Sequence, residues 1–219
     1  DDSVGPLTVD AGGPYSVNEV FTGNDGDLYT TTSKCVKNGS DPGFSAGLSK
    51  DVTVANGDTV VCTFKNVRKT VKITTVKQFV GTPASISIAA GPASKGISGN
   101  DSVEATVEAG KTYAFSETLS DGQKAQYGTT LQCTGDQSPT AGVYARDVAV
   151  GTSDVTCTFV NTRTTGSIEV NKDFVGSGQS VRLKRDTTVL TTTSADYDGQ
   201  AVTVDTGAYT VSEEFVAAA

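Results

Sequence analysis

Three residue types recur along this chain at spacings that could join two side chains covalently: lysine, glutamate and asparagine. The lysines lie in ITTVKQFVG (73–81) and IEVNKDFVG (168–176). The glutamates lie in PYSVNEVF (14–21), TYAFSETL (112–119) and AYTVSEEF (208–215). The asparagines lie in VCTFKNVR (61–68) and TCTFVNTR (156–163). Each string alternates like a β-strand, in which residues two apart share a face. Lys77 then shares a face with Ile73, Thr75 and Phe79, and Lys172 with Ile168, Val170 and Phe174. Glu117 shares one with Tyr113, Phe115 and Leu119; Glu19 with Tyr15, Val17 and Phe21; Glu213 with Tyr209, Val211 and Phe215. Asn161 shares one with Val155, Cys157 and Phe159, and Asn66 with Cys62 and Phe64. In each set the polar residue is the odd member of a mostly apolar face.

Polar groups on inward faces are costly. An isolated buried charge costs several kcal/mol or more, and an unsatisfied buried amide roughly 1–3 kcal/mol. Such residues are tolerable only if they meet. A desolvated lysine has a lowered pKa, so its neutral amine can act as a nucleophile. The asparagine carboxamide is the electrophile. A carboxyl held neutral by the same apolar site can hydrogen-bond the amide and shuttle protons. The product is an isopeptide bond between the lysine amine and the asparagine Cγ, with loss of ammonia. The competing reading is bland: Lys77 at a strand end reaching water, Glu117 accepting from backbone amides, Asn161 capping a turn.

The elements that must position these residues repeat. Lys77 and Lys172 are 95 apart, Glu19 and Glu117 98, Glu117 and Glu213 96, Asn66 and Asn161 95. A unit of this length returning in order is the sequence sign of a tandem array. Residues 69–165 form one complete unit. Residues 1–68 match the later part of a unit and residues 166–219 the earlier part, so the chain reads as a crop from a longer array. Completion of the end units by neighbouring chains is the alternative. Turn punctuation separates the strands: GNDGD (23–27), SDPG (40–43), NGD (56–58) and SDGQ (120–123). The units join through NVRKT (66–70) and NTRTTG (161–166), with no Gly/Ser-rich or Pro-rich linker. Short junctions predict a semi-rigid rod of β-sandwich beads. The stretches 82–101 and 134–146 read as small-residue loops.

Cys35 and Cys62 are 27 apart, and Cys133 and Cys157 are 24 apart. With no CxxC motif and no histidine, zinc is disfavoured, and one local disulfide per repeat is the favoured reading. That implies an oxidising extracellular compartment; the alternative is four reduced, buried thiols in a cytosolic protein.

The order of motifs, VxK early, YxxxE in the middle and CTFxN late, resembles the B-type repeat domains of Gram-positive collagen adhesins. It also resembles the prealbumin-like repeats of sortase-assembled pilins, especially disulfide-bearing copies in actinobacterial surface proteins. The resemblance implies an all-β chain of tandem transthyretin-like (inverse Ig, Ig-like) β-sandwiches, one complete and two partial. It implies that a first-strand lysine joins a last-strand asparagine with help from a middle-strand glutamate. Carried over, Lys77, Glu117 and Asn161 are the set of the middle repeat. Lys172 and Glu213 belong to the third, and Glu19 and Asn66 to the first. The chain departs from the pattern in Thr75, where an apolar residue is expected. These residues hold no LPxTG sorting signal and no YPKN pilin motif, so membership of a covalent pilus shaft is unsupported by them, the alternative being that both signals lie outside the crop.

Composition bounds the rest. The 219 residues carry 25 acidic and 17 basic side chains, 24 glycines, and no His, Met or Trp. The net charge of −8 makes nucleic acid a poor partner. No apolar run approaches the roughly 20 residues of a membrane helix. Without histidine no hydrolase triad can be assembled, so an enzyme with turnover is the weakest reading. No cofactor or metal is expected. Asn24, Asp25 and Asp27 offer oxygen ligands for calcium but lack the rest of an EF-hand loop, and the middle repeat has only Asp121 there, so a solvated turn is the better reading. Asn38 and Asn100 head glycosylation sequons read as coincidental. The chain is therefore expected to be a self-crosslinked structural stalk or filament segment of an extracellular surface adhesin or pilus-like fibre. Its partners would be neighbouring repeats of its own chain, neighbouring copies in a filament, and a host or surface ligand. The alternative is an adhesive module whose loops bind a matrix protein, glycan or surface directly.

Overall fold

The fold, a computed structural model describing residues 3–23 and 25–216, is almost entirely β. The first sequence repeat contributes β1 (Gly12–Asn18), β2 (Tyr29–Lys37), β3 (Ser45–Ala46), β4 (Ser49–Val54) and β5 (Val60–Arg68). The middle repeat contributes β6 (Thr70–Val80), β7 (Ile86–Ala90), β8 (Ala93–Ile97), β9 (Asp101–Glu108) and β10 (Lys111–Thr118). A one-turn helix, α1 (Asp121–Lys124), then leads to β11 (Tyr127–Cys133), β12 (Thr140–Ala141), β13 (Ala145–Val150) and β14 (Val155–Arg163). The third repeat contributes β15 (Thr165–Ile168), β16 (Val181–Arg185), β17 (Thr188–Thr193), β18 (Val202–Asp205) and β19 (Val211–Phe215).

The middle repeat builds two sheets, ordered β13-β10-β7-β8 and β12-β11-β14-β6-β9. Their inward residues form its core: Ile88, Ala90 and Phe115 from the first sheet, Leu131 and Phe159 from the second, all at most 1% exposed. The alternation that places them is plain in β10, where Phe115 and Glu117 are buried, and in β14, where Cys157, Phe159 and Asn161 are. Fully burying side chains of this kind stabilises by roughly 1.5–3 kcal/mol each. The helix α1 starts on a capping box, Ser120 accepting from the Gln123 amide and the Gln123 side chain accepting from the Ser120 amide.

The first repeat holds a β1-β4 pair and a β3-β2-β5 sheet; the third holds a β15-β18 pair and a β17-β16-β19 sheet. Close packing divides the chain into two compact units. One comprises residues 1–73, 106–113 and 148–155; the other comprises 74–105, 114–147 and 156–219.

Two departures from the sequence reading concern strands. Residues 82–101, expected as a loop, contain the β7–β8 hairpin, with Ile86, Ile88, Ala90 and Ile97 buried. The small residues conceal a period-two apolar pattern, and alanine fills inward positions that a tight sheet keeps narrow. The lysine strand of the third repeat stops at Ile168 instead of running on through Lys172. Beyond it, Lys172 makes only an isolated bridge to Tyr197. The physical reason is neighbours: β6 is hydrogen-bonded between β14 and β9, whereas β15 pairs with β18 alone among the described residues.

Candidate functional site

The site is assembled from three strands of the middle repeat. Lys77 lies near the end of β6, Asn161 lies on β14 beside it in the same sheet, and Glu117 reaches in from β10 of the facing sheet. All three are dry: as whole residues Lys77 and Asn161 are 0% exposed and Glu117 4%, and the Lys77 and Glu117 side chains are both 0% exposed. Lys77 Nζ lies 2.8 Å from Glu117 Oε2, and Asn161 Nδ2 donates to the same oxygen at 3.2 Å. The amine is thus held beside the carboxamide by one carboxylate oxygen. The ring of Phe79, next inward on the strand, lies with its centroid 4.7 Å from Nζ.

The electrostatics follow from burial. Desolvation pushes the Lys77 pKa down, opposed by Glu117, and pushes the Glu117 pKa up, opposed by Lys77 and Asn161. Both shifts favour the neutral forms, an amine and a carboxylic acid. Burial thus works toward an unprotonated amine and a protonated carboxyl beside the amide, while the Lys77–Glu117 contact works against it. Lys77 Nζ, Glu117 Oε1 and Asn161 Oδ1 are buried without a well-directed hydrogen-bond partner. Each is a buried polar atom whose hydrogen-bonding capacity its surroundings leave unused, which is costly in a folded interior.

Thr75, the departure from the apolar pattern, is also fully buried, and its hydroxyl donates to the Ala89 carbonyl at 2.6 Å. A threonine is tolerated there because β7 supplies an acceptor.

The partial repeats hold fragments of the same arrangement. In the third, Lys172 Nζ lies 3.5 Å from Glu213 Oε2 and 4.4 Å from the Phe174 ring centroid, with side chains 19% and 36% exposed. In the first, Asn66 Nδ2 donates to Glu19 Oε1 at 2.7 Å, although Asn66 is exposed and Glu19 lies just past the end of β1.

Cys35–Cys62 and Cys133–Cys157 are disulfides, each joining directly opposed residues, of β2 and β5 and of β11 and β14. Each therefore ties the asparagine strand to its antiparallel neighbour in the sheet. Asp25 and Asp27 lie in a short 3-10 turn whose Asp27 carbonyl accepts from Lys69, while Asn24 lies outside the described residues. Of the sequon asparagines, Asn38 pairs with Asp58, and Asn100 accepts from the Phe79 amide. No group of three or more metal-ligating side chains is found among the described residues.

Reading the strands for odd polar residues missed two threonines. Thr129 lies directly opposite Asn161 in the β11–β14 ladder, and Thr31 directly opposite Asn66 in the β2–β5 ladder. The available signal was their shared place in YGTT (127–130) and YTTT (29–32), two residues after a tyrosine.

No curated protein matched the chain. A family model described as a prealbumin-like fold domain, of the SpaA type, matches residues 1–68 and again residues 70–163. These two matches take in most of the chain, and with the paired β-sheets of the middle repeat they place it in the family of prealbumin-like fold domains.

Proposed function

We propose that this chain is a structural segment of an extracellular stalk or pilus-like fibre, in which the middle repeat locks itself with a Lys77–Asn161 isopeptide bond. The observation that carries this reading is the convergence of Lys77 Nζ and Asn161 Nδ2 on Glu117 Oε2 in a water-free interior. The neutral amine attacks Asn161 Cγ, forming the N–C bond. The Cγ–Nδ2 bond then breaks, and Nδ2 leaves as ammonia. Glu117 delivers its proton to Nδ2 and takes up the one released from Nζ, so it ends as it began. No cofactor, metal or water is consumed. The reaction happens once per molecule, so the chain is not an enzyme in the turnover sense.

The crosslink closes an 84-residue loop between Lys77 and Asn161. By the chain-entropy estimate, closing such a loop stabilises by about 4.5 kcal/mol. Its greater use is mechanical. Lys77 is on β6 and Asn161 on β14, the first and last strands of the repeat. Load entering one and leaving the other would pass through a covalent bond rather than through the sheets.

The junctions between repeats support a load-bearing role. Arg68 donates to the Ala109 carbonyl at 2.8 Å and to the Tyr29 hydroxyl at 2.9 Å, within one compact unit. In the other unit, Arg163 lies 4.9 Å from the Tyr127 ring centroid and donates to the Thr206 carbonyl. The connecting residues repeat this order, with Lys69 N donating to Leu28 O at 2.8 Å and Thr164 N to Gln126 O at 2.9 Å. Gly110 has φ +74°, a conformation L side chains rarely adopt, and a Cβ there would have to push the ends of the Leu28 and Arg68 side chains aside. The two disulfides fit the same extracellular setting. No helix of the described residues is long and apolar enough to cross a membrane.

Intact mass spectrometry of the purified chain tests the proposal. Loss of one ammonia, about 17 Da beyond the loss of hydrogens at the disulfides, is the expected result. A chain of unshifted mass sinks it.

A further inference from the structure

Asn161 has two faces in the buried site, and only one is served. Its Nδ2 donates to Glu117, while its Oδ1 is buried with no hydrogen-bond partner. Negative charge develops on that oxygen when an amine adds to Cγ, so a donor aimed at it would lower the barrier. Such a donor stands directly across the ladder. Thr129 pairs with Asn161 in the β11–β14 register and is 4% exposed, and its hydroxyl is likewise buried and unpartnered. Directly opposed residues of an antiparallel pair carry their Cβ atoms about 4.5–5.5 Å apart on one face. The hydroxyl is thus within a side-chain rotation of the carboxamide.

The first repeat displays the same pair with the contact made. Thr31 pairs with Asn66 in the β2–β5 register, and Thr31 Oγ1 donates to Asn66 Oδ1 at 2.5 Å, while Asn66 Nδ2 donates to Glu19. There the carboxamide is clamped at both ends: threonine on the oxygen, glutamate on the nitrogen. That bond persists although Asn66 is exposed and water competes for it. In the dry middle repeat nothing competes.

We propose that Thr129 is the oxyanion donor of the isopeptide reaction, hydrogen-bonding Asn161 Oδ1 as Lys77 adds to Cγ. This rests on the reading that the middle repeat forms the Lys77–Asn161 bond. In the step, the Nζ lone pair forms the new N–C bond and the C=O π pair moves onto Oδ1, where the Thr129 hydroxyl holds it. The pair returns as Cγ–Nδ2 breaks, the Glu117 proton going to Nδ2 and one Nζ proton to Glu117. Threonine ends unchanged. The division of labour is that Glu117 moves protons on the leaving-group side and Thr129 stabilises charge on the other.

The test uses the full 219-residue chain made by cell-free synthesis, with ammonia loss timed by intact mass spectrometry. Thr129→Val keeps the shape and removes the donor; Thr129→Ala removes it without bulk; Thr129→Ser restores a hydroxyl. Val and Ala are expected to slow ammonia loss on the order of 100-fold, and Ser to hold it within about 10-fold of the parent. Folding is checked independently by formation of both disulfides. If the Val variant fails that check, the Ala variant decides. A parent chain that never loses ammonia overturns the crosslink itself. A parent that loses it while folded Val or Ala variants react at the parent rate overturns only the role of Thr129. A Ser variant as slow as Ala assigns the effect to packing and likewise overturns it.

Discussion

Lys77 and Lys172 stand at equivalent places in the sequence, yet they live in different media. Each has a glutamate partner, Glu117 at 2.8 Å or Glu213 at 3.5 Å, and each lies against a phenylalanine two residues on. The lysine side chain is 0% exposed in the middle repeat and 19% in the third, and the glutamates are 0% and 36% exposed. What separates them is cover. Lys77 rides on a strand flanked by β14 and β9 and faces β10, while Lys172 follows a strand paired on one side among the described residues. The dry environment thus belongs to the closed sandwich and not to the residue types. Identical side chains in contact but wet remain an exposed ion pair, worth about 0–1 kcal/mol.

The largest effect that could break the comparison comes from the lysines themselves. Lys77→Ala should abolish the ammonia loss and lower the melting temperature of the middle repeat by on the order of 20 °C, from the lost loop closure. Lys172→Ala should leave the mass deficit of this chain untouched. Calorimetry and intact mass measure both. If the Lys172 variant loses the deficit and the Lys77 variant keeps it, the dry site is not the reactive one.

The rate of crosslinking should next show a bell-shaped pH dependence. Burial lowers the Lys77 pKa and raises that of Glu117. Acid protonates the amine and removes the nucleophile, giving an acid limb that falls by up to tenfold per pH unit; alkali ionises Glu117 and removes the proton donor. Mass spectrometry of samples quenched over a pH series reads the profile. Glu117→Gln should abolish the reaction at every pH. A flat profile would mean the pair does not titrate as a reactive acid and base.

The disulfides sharpen the contrast further. Cys133 and Cys157 are buried, 4% and 0% exposed, whereas Cys35 and Cys62 are partly exposed. Limiting reductant followed by alkylation should label Cys35 and Cys62 first, because exchange needs access to a sulfur. Replacing Cys133 and Cys157 together by alanine should cost on the order of 3 kcal/mol by denaturant melting. Equal labelling of both pairs would deny that the first repeat is the wetter one.

The smallest expected effect is an acid limb in the first repeat. Asp58 accepts from Lys37, the Ala55 amide and Asn38, which lowers its pKa from 3.8 to about 2. A depressed folded pKa contributes stability that is present above about pH 3.8 and is lost as pH falls toward 2. Asp58→Asn should flatten that part of the stability–pH curve and leave ammonia loss unchanged.

Much of this was legible from residue order. Strand parity put Lys77, Glu117 and Asn161 on inward faces because alternation is local and period two. The paired cysteines were legible because their strings recur with the asparagine. The β7–β8 hairpin was not, since Ser85 to Ala90 reads as small and polar until Ile86 and Ile88 are seen to share a face. Thr129 escaped for a different reason. A threonine is ordinary in a strand, and only the pairing register shows that it faces the asparagine.

Order along the chain determined which side chains could face inward together, the repeat that returns them and the cysteines that tie their strands. It determined this because side-chain direction in a strand follows from the backbone alone. Depth, register and cover were decided only by the tertiary structure. Whether an inward lysine is dry depends on strands far away in sequence closing over it, and on that closure depends whether a lysine and a glutamate remain a partly exposed ion pair or are buried together beside an asparagine.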